Sequence, residues 1–337
     1  MTTLNATILG GGSWGTALAA QLARQGHATV IWDRHPDRCA FLNEHHQNPR
    51  YLKGEPLPPT LRATPSLEEA VQHADLIVPV VPSHALREVL QRAAPFVRSD
   101  ATFSCATKGI EEGSLDTMYT VMQAALPDAF ADRIAMLYGP SFALEVTRGL
   151  PTAIVCAGPD GPAHAAADAF HGGGFRVYHT DDVVGVCIGG SLKNVMAIAC
   201  GVSDGLGLGN NARAGIITRG LAEITRLATA MGAHPLTMMG LAGMGDLVLT
   251  CSSDLSRNRR VGLALGQGRT LDDILGELGE VAEGVITAKT AWELSARVGV
   301  EMPITEQIFA LLYQDKSATN AIRDLLGRER RPERDDA

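Results

Sequence analysis

The stretch Ala6-Thr7-Ile8-Leu9-Gly10-Gly11-Gly12-Ser13-Trp14-Gly15 joins an apolar run to a Gly-x-Gly-x-x-Gly turn, and an Ala- and Leu-rich segment over residues 16–24 follows it. The pattern predicts a β-strand, a tight turn and a helix. Gly10 permits the turn, Gly12 lets the backbone approach a pyrophosphate, and Gly15 lets the helix pack close to the strand. The N-terminus of the helix then faces the anion. The stretch therefore predicts a dinucleotide-binding turn.

A second apolar run, residues 28–32, ends at Asp33. This is close to the spacing of about twenty residues at which an acid follows the glycines in dinucleotide-binding folds. Asp33 could accept hydrogen bonds from the ribose hydroxyls of NAD, whereas Arg34 and His35 could neutralise the 2′-phosphate of NADP. The sequence leaves both NAD and NADP open as cofactors. The alternative is that residues 33–37 form only a charged turn, in which Pro36 begins the next helix.

Length and composition limit the class of protein. At 337 residues the chain exceeds what one hydrophobic core usually supports, so two domains are expected. Apolar residues make up 45% of the chain and charged residues 20%, which is typical of a globular enzyme. The net charge of -8 disfavours nucleic acid and anionic membrane surfaces as partners.

Cysteine and hydropathy patterns bear on compartment and metal binding. The six cysteines, at positions 39, 105, 156, 187, 200 and 251, include no Cys-x-x-Cys pair and no Cys/His cluster with metal-ligand spacing. We therefore expect reduced thiols and no metal site. No signal-like segment precedes the first strand, and no run reaches the roughly 18 apolar residues of a membrane-spanning helix. These features favour a cytoplasmic protein without integral membrane association.

The remaining apolar segments continue the α/β pattern. Further predicted strands, with helices between several of them, lie at 75–82, 101–106, 134–137, 152–157 and 175–179. Residues 49–65 are Pro-rich and predict an irregular segment. From about Val183 onward, stretches with helical periodicity dominate. The predicted fold class is α/β, with an N-terminal Rossmann-like doubly wound sheet in residues 1–185, an all-α C-terminal domain in 186–330 and a charged tail in 331–337.

Two lysines stand in apolar or small-residue surroundings. Lys108 directly follows a predicted strand, where the carboxyl ends of parallel strands open onto the ligand crevice. Its ammonium could polarise a carbonyl or hold an anion, and the alternative is an exposed loop lysine. Lys193 lies at the head of the first long helix of the second domain, where burial near a second cation would lower its pKa and suit proton transfer. The alternative is a lysine whose stem packs while its amine reaches solvent.

A third candidate group is Ser256, Arg257 and Asn258, which follows Asp246 in the chain. Arginine offers a planar fork of donors to phosphate oxygens, and the serine and asparagine fill the remaining directions. Asp246 could orient a catalytic ammonium or a substrate hydroxyl. The alternatives are a solvated basic loop for the first group and a plain turn acid for the second.

Together these residues resemble the bacterial type of NAD(P)-dependent glycerol-3-phosphate dehydrogenase over nearly the whole chain. No single motif carries the resemblance, but the ordered set is specific. The motifs are Gly10-Gly11-Gly12-Ser13-Trp14-Gly15-Thr16-Ala17-Leu18-Ala19, Val81-Pro82-Ser83-His84, Ala106-Thr107-Lys108-Gly109, Gly139-Pro140-Ser141-Phe142-Ala143, Gly190-Ser191-Leu192-Lys193-Asn194-Val195, Ser203-Asp204-Gly205, Asn211-Ala212-Arg213, Gly243-Met244-Gly245-Asp246-Leu247, Ser256-Arg257-Asn258-Arg259-Arg260 and Met302-Pro303-Ile304-Thr305-Glu306.

The resemblance implies reversible hydride transfer between NAD(P)H and C2 of dihydroxyacetone phosphate, giving sn-glycerol 3-phosphate for glycerophospholipid synthesis. It implies that Lys193 is the proton acceptor in the oxidation direction. The residues it implies for the substrate are Lys108, Gly139, Ser141, Lys193, Asp246, Ser256, Arg257 and Asn258. Those it implies for the nucleotide, besides Gly10, Gly12 and Gly15, are Ser13, Trp14, Arg34, His35, Lys108, Ala143, Arg257, Val281 and Glu283.

The family pattern also bears on cofactor preference and assembly. Asp33 is acidic where many members carry a small or neutral residue, which weakens the case for strict NADP preference. The expected partners are a small-molecule substrate and, because the helical domain has many small residues that could form a dimer face, a second copy of the chain in a homodimer.

Two other functions stay open at this point. A dehydrogenase of a hydroxy acid or a sugar-acid phosphate would share the fold and often a catalytic Lys-Asn arrangement. A nucleotide-sensing protein would bind NAD(H) without turnover. The joint presence of the motifs around Lys108 and Arg257 argues against the first, and the two lysines in small-residue surroundings argue against the second.

Overall fold

The computed structural model describes residues 3–278, 282–330, 332 and 333. Within those residues, eight strands form one sheet in the order β3-β2-β1-β4-β5-β6-β7-β8. The strands are β1 (Asn5–Leu9), β2 (Ala28–Trp32), β3 (Arg62–Thr64), β4 (Leu76–Pro79), β5 (Thr102–Cys105), β6 (Ile134–Tyr138), β7 (Thr152–Ala157) and β8 (Phe175–Thr180). All neighbours pair in parallel except β6 and β7, which are antiparallel. The carboxyl ends of β1, β2, β4, β5 and β6 therefore share one edge of the sheet.

Helices cover both faces of this sheet. They are α1 (Ser13–Arg24), α2 (Pro36–His45), α3 (Leu67–Val71), α4 (Leu86–Ala93), α5 (Met118–Ala125), α6 (Ala143–Thr147) and α7 (Asp160–Phe170). Ile8 of β1 packs into the core beneath α1 and α7, whereas its neighbour Leu9 packs into the core beneath α3, α4 and α5. Consecutive residues of a strand point to opposite faces, so a sheet covered on both sides needs the continuous apolar runs that the sequence shows.

The rest of the described chain is helical and has its own core. Its helices are α8 (Val183–Gly205), α9 (Gly209–Ala230), α10 (Asp246–Ser252), α11 (Arg257–Gly266), α12 (Leu271–Leu278), α13 (Glu283–Val298), α14 (Pro303–Tyr313) and α15 (Ala318–Leu326). Helix α8 is long and apolar enough to cross a membrane by length and composition. However, 89% of its most apolar window is buried inside the protein, which identifies it as the central helix of this core.

Helix α11 packs so closely against α8 that the backbones of the two helices are in contact. A Cβ on Gly262 would come within 2.0 Å of the carbonyl oxygen of Ile198, and a Cβ on Gly201 within 2.1 Å of that of Arg259. Only glycine allows two helices to approach so closely. The contact brings the first turn of α11 beside the middle of α8, where Asn258 Nδ2 donates to Asn194 Oδ1 at 2.9 Å.

The predicted fold class is confirmed, and two details differ from the sequence-based expectation. Residues 62–64 form the edge strand β3, so the prediction of an irregular segment over 49–65 is wrong there, because a strand this short has too few residues to show alternation. The antiparallel β6–β7 pair was not anticipated, because apolar runs buried on both faces look the same in either direction. Val281 and residues 331 and 334–337 of the predicted tail lie outside the described residues.

Candidate active site

The turn between β1 and α1 presents bare backbone at the carboxyl edge of the sheet. Gly10 has a φ of 128°, and a Cβ on Gly15 would come within 1.9 Å of the Gly10 carbonyl oxygen. Apart from Gly12 and its two chain neighbours, no described residue has an atom within 4 Å of the place that a Cβ on Gly12 would take. Among the described residues no side chain caps α1, and its first turn holds no acid. The amides at the start of α1 are therefore available to an anion, and the turn fits a dinucleotide pyrophosphate.

Two side chains beside this turn support the same fit. Trp14 Nε1 is buried with no hydrogen-bond partner among the described residues, and a bound nucleotide could supply the missing acceptor. Asn48, which the sequence analysis did not single out, donates from Nδ2 to the Gly11 carbonyl oxygen at 3.0 Å and to Thr16 Oγ1 at 2.8 Å. Asn48, which directly precedes the Pro-rich segment, therefore holds the turn in place.

The acidic turn after β2 lies at the same edge of the sheet. The backbone N–H of His35 donates to Asp33 Oδ1 at 3.0 Å, and Arg38 Nη1 donates to Asp33 Oδ2 at 3.2 Å. Arg34 is exposed and its Nε lies 3.2 Å from His35 Nε2. Helix α2 begins at Pro36.

A buried carboxylate joins the two candidate lysines. Lys108 Nζ donates to Asp246 Oδ2 and Lys193 Nζ donates to Asp246 Oδ1, each at 2.6 Å. Lys193 Nζ also donates to Thr250 Oγ1 at 2.9 Å, and Thr250 Oγ1 lies 2.6 Å from the Asp246 carbonyl oxygen. The side chains of Lys108 and Lys193 are 14% and 12% exposed, and that of Asp246 is 1% exposed. Two ammonium groups thus share one carboxylate at a site that opens narrowly to solvent.

The cluster displaces the protonation equilibria of its members. The pKa of Lys193 is lowered to about 8 in all: burial is the largest cause, the Asp246 carboxylate opposes it, and the positive charge of Lys108 adds to it. Burial by itself would raise the pKa of Asp246, but the charges of Lys108 and Lys193 outweigh burial and hold it below its usual value. Near neutral pH, Asp246 is therefore ionised and Lys193 can either hold or release a proton.

Each member of the cluster comes from a different element. Lys108 follows β5, Lys193 lies on α8, and Asp246 begins α10 directly after a π-helical turn over Leu241–Gly245. Ser191 fastens the Lys108 loop to α8, because the Gly109 N–H donates to Ser191 Oγ at 3.1 Å. The cluster therefore forms only where the sheet meets the helical core.

Backbone and aromatic groups complete the surroundings of Lys108. Its Nζ lies 3.5 Å from the Gly139 carbonyl oxygen and 5.3 Å from the centre of the Tyr138 ring. Ser141 Oγ donates to the same Gly139 oxygen at 3.1 Å. The buried Tyr138 hydroxyl donates to the Thr107 carbonyl oxygen, which fixes the ring under the ammonium. Cation–π attraction adds to the charge pairing that holds Lys108 in place.

The N-terminus of α11 faces the same region. Ser256 caps the helix, accepting a hydrogen bond from the Arg259 N–H at 3.3 Å. The Asn258 amide is fixed on both sides, since its Oδ1 accepts from the Gly284 N–H at 3.0 Å and its Nδ2 donates to Asn194. A fixed helix N-terminus with an arginine at its first position is suited to bind an anion.

Asp204, at the end of α8, holds α11 in this position. It accepts from Arg259 Nε at 3.0 Å and from Arg259 Nη2 at 2.6 Å, and its other oxygen lies 3.3 Å from Arg213 Nε of α9. The motifs containing Asp204 and Arg213 thus contribute to the site indirectly.

Glu283 links the start of α13 to the turn after β4. Its carboxylate accepts from Ser83 N at 3.2 Å and from Ser83 Oγ at 2.8 Å. Burial raises the pKa of Glu283 above its usual value, although these hydrogen bonds lower it, as do the charges of His84 and Arg257. Arg257 and Glu283 are therefore close enough for their charges to interact.

The structure groups the residues predicted from sequence in three places. Lys108, Gly139, Ser141, Lys193 and Asp246 meet at the buried cluster, Ser256, Arg257, Asn258 and Glu283 lie at the starts of α11 and α13, and the glycine turn with Ser13 and Trp14 lies at β1. Arg34 and His35 stand apart from the lysines, after β2. Ala143 begins α6 and packs beside α1. Sequence reasoning missed Thr250, although its spacing of four residues from Asp246 on one helix could have indicated it.

Comparisons with family models, with curated proteins and with solved structures all indicate the same family. Models of the NAD-dependent glycerol-3-phosphate dehydrogenase N-terminus and C-terminus match residues 5–163 and 182–323. Glycerol-3-phosphate dehydrogenase (NAD(P)+) of Anaeromyxobacter dehalogenans is 52% identical over 331 residues, covering 98% of this chain and 100% of its own length. The enzyme of the same name from Geobacter metallireducens is 51% identical over 328 residues, covering 97% of this chain and 98% of its own length. The crystal structure of glycerol-3-phosphate dehydrogenase from Coxiella burnetii superposes with a TM-score of 0.92 at 40% identity, covering 97% of this chain and 99% of that one.

Proposed function

The chain belongs to the NAD-dependent glycerol-3-phosphate dehydrogenase family, and on that premise we propose that Lys193 is its catalytic residue. The reaction is reversible hydride transfer between NAD(P)H and C2 of dihydroxyacetone phosphate, giving sn-glycerol 3-phosphate for glycerophospholipid synthesis. The observation that supports this role is the pair of 2.6 Å contacts through which Asp246 holds two ammonium groups side by side.

Lys193 moves the proton of the C2 oxygen. When bound, the nicotinamide supplies or accepts the hydride at C2. In the oxidation direction neutral Lys193 takes the hydroxyl proton of glycerol 3-phosphate, and in the reduction direction its ammonium returns a proton to that oxygen. A pKa of about 8 keeps both forms available near neutral pH. Lys108, on the same carboxylate, provides a second positive charge close to the oxygen that gains negative charge in the transition state.

The substrate phosphate is assigned to the N-terminus of α11. The guanidinium of Arg257 supplies two parallel donors, and the helix N-terminus adds a favourable partial charge. The Ser256 hydroxyl can donate its own proton to the phosphate while its oxygen caps the helix. Asn258 is already oriented by Asn194. Gly139 and Ser141, beside Lys108, contact the carbon skeleton on the other side.

The nucleotide is assigned to the carboxyl edge of the sheet. The β1–α1 turn would hold its pyrophosphate, and the residues that follow β2 would hold its adenosine ribose. The residues proposed to contact it are Gly10, Gly12, Ser13, Trp14, Gly15, Arg34, His35, Lys108, Ala143, Arg257 and Glu283. Val281, also predicted from the family resemblance, lies outside the described residues.

Oxidation of NADH or NADPH by dihydroxyacetone phosphate, followed by absorbance, tests the proposal. Lys193→Ala should lower kcat by about 10²–10⁴ without changing the Kd of the nucleotide, because it removes the proton donor only. Lys289→Ala is the matched control, since this lysine is exposed and pairs with Glu112 away from the cluster. A Lys193→Ala enzyme with a kcat near that of the wild type would refute the role.

The phosphate site is tested with dihydroxyacetone, which lacks the phosphate. The wild-type enzyme should strongly prefer dihydroxyacetone phosphate in kcat/KM. Arg257→Ala should lower the kcat/KM for the phosphorylated substrate and leave that for dihydroxyacetone nearly unchanged. Equal losses for both substrates would exclude Arg257 as the phosphate ligand.

We also propose a homodimer, which forms through an apolar groove at the β8 edge of the sheet. Val155, Tyr178 and Leu241 line the groove, and the neighbouring Leu236 and Met239 are 69% and 66% exposed. Exposed apolar groups of this size around a groove are typical of interaction surfaces. Light scattering after size exclusion should give a dimer for the wild type and a monomer for Leu236→Glu. A dimer that persists in Leu236→Glu would exclude this face.

The same proposal includes a cytoplasmic location and a division into residues 1–185 and 186–330. All six cysteines are buried and free, which suits a reducing compartment. Most of the buried residues of each part pack into cores on either side of the sheet or around α8. The parts also share core contacts, since Ile110 and Leu115 pack into the core around α8. Limited proteolysis followed by mass spectrometry would test the division, which requires the first stable cuts to fall near residue 185.

A further inference from the structure

Asp33 is the one acid that the structure holds against the glycine turn in the part of the chain that it describes. A Cβ on Gly11 would come within 2.4 Å of Asp33 Oδ2, so the carboxylate touches the backbone of the turn itself. Its side chain is only 10% exposed. A dinucleotide on this turn extends from the pyrophosphate at α1 towards the end of β2, which brings the adenosine ribose to Asp33.

The Asp33 carboxylate is fixed in this orientation. His35 N–H binds one oxygen at 3.0 Å and Arg38 Nη1 binds the other at 3.2 Å. Each carboxylate oxygen has a second lone pair, so the group can still accept hydrogen bonds from ribose hydroxyls. Because both oxygens are held, the carboxylate cannot readily turn away from a negatively charged group at the 2′ position.

The cations nearby offset this charge only in part. Arg38 binds one oxygen of Asp33 from the side of α2, whereas the exposed Arg34 lies beside His35 at the surface. A 2′-phosphate could be met by Arg34 and His35, but it would also meet the fixed carboxylate. Like charges in contact repel most where water is excluded. The acid should therefore outweigh the surface cations.

We propose that Asp33 is the residue that determines cofactor specificity, making this enzyme bind NADH more tightly than NADPH while Arg34 and His35 keep NADPH usable. This inference rests on the proposed placement of the nucleotide. It goes beyond the family reaction, for which the relatives are described only as NAD(P)-dependent.

Equilibrium binding of the two reduced cofactors tests the inference without any need for turnover. The fluorescence of the reduced nicotinamide changes on binding and is the same chemical group in NADH and NADPH. For the wild type, the Kd of NADPH should exceed that of NADH at least tenfold. Asp33→Asn, which keeps the size and one acceptor oxygen but removes the charge, should lower the ratio of the two Kd values at least tenfold.

Asp37→Asn is the matched control, because Asp37 is an exposed acid on the first turn of α2 and should leave the ratio unchanged. A wild-type Kd for NADPH equal to or below that for NADH overturns the inference, and this readout does not depend on any variant folding. An unchanged ratio in folded Asp33→Asn also overturns it, as does binding of neither cofactor, which refutes the nucleotide placement. The expected ratios in an enzyme without turnover would support the inference while refuting the role of Lys193.

Discussion

The rate of glycerol 3-phosphate oxidation should rise about tenfold between pH 7 and pH 9. Lys193 must be a neutral amine to accept the hydroxyl proton, and its pKa lies at about 8. About one enzyme molecule in eleven then carries the neutral amine at pH 7 and about ten in eleven at pH 9. The kcat/KM for oxidation should follow this fraction, and the kcat/KM for reduction should fall over the same range because it needs the ammonium.

Three substitutions should move this pH dependence in directions fixed by the contacts. Asp246→Asn removes a charged partner of the ammonium, worth roughly 1.5–3 kcal/mol, so the midpoint should fall by about 1–2 pH units. Thr250→Val removes a neutral acceptor at 2.9 Å, worth roughly 0.5–1.5 kcal/mol, and should lower the midpoint by at most about one pH unit. Lys108→Met removes a neighbouring positive charge, so the midpoint should rise.

The assay is kcat/KM for both directions from pH 6 to pH 10 at constant ionic strength. Lys289→Met serves as the control, because it removes an exposed positive charge elsewhere. Asp246→Asn breaks a buried ion pair, which lowers the free energy of unfolding by roughly 3–5 kcal/mol. If that variant does not fold, Thr250→Val alone tests the prediction. A flat profile in the wild type, or a midpoint that rises in Thr250→Val or Asp246→Asn, would refute the assignment of Lys193 as the titrating group.

Further predictions concern the turn, the helical core and the start of α11. Gly12→Ala should weaken NADH binding at least tenfold. It should change the free energy of unfolding by no more than about 1 kcal/mol, because its Cβ would meet no described atom beyond its two chain neighbours. Calorimetric titration with an unchanged Kd would contradict the predicted loss of binding. Burial raises the pKa of Glu223 to about 7 despite hydrogen bonds from the N-terminus of α14. The contribution of Glu223 to the free energy of unfolding should therefore fall by roughly 3 kcal/mol between pH 4.5 and a pH above 7. Urea unfolding at these two pH values measures the fall, and Glu223→Gln, which does not titrate, should not show it. Asp204→Asn should raise the KM for dihydroxyacetone phosphate more than it lowers kcat, because Asp204 would no longer hold Arg259 and with it α11. Steady-state kinetics measure both constants, and a loss in kcat alone would exclude this positioning role.

The fold was predictable because its strongest signals are local. The glycine turn, the apolar strands and the change to helical periodicity near Val183 each lie within one short stretch of chain. The direction of β7 was not predictable, because strand direction depends on connections and not on which residues are apolar. The short β3 was missed for a similar reason, since its pairing partner β2 determines it more than its own composition does.

The residues of the candidate site could be predicted from the sequence, but their arrangement in space could not. Lys108, Lys193 and Asp246 each stand out in their own surroundings, yet nothing local indicates that one carboxylate binds both amines. That contact depends on how α8 and α10 pack against the sheet. The role of Asp204 was hidden for the same reason, because its motif shows an acid at a helix end while its two arginine partners lie on other helices.

Because a π-helical turn over Leu241–Gly245 precedes Asp246, the position of Asp246 depends on the exact number of residues in that turn. A π turn holds about one residue more than an α turn, so deleting one residue there would let the segment continue as a regular α-helix. The residues after the deletion would then rotate by about 100° around the helix axis relative to those before it. Whichever side of the deletion adjusts, Asp246 would lose its alignment with one or both amines, while most of the surrounding core could stay packed. Lineages of this enzyme should therefore keep the number of residues in this segment constant.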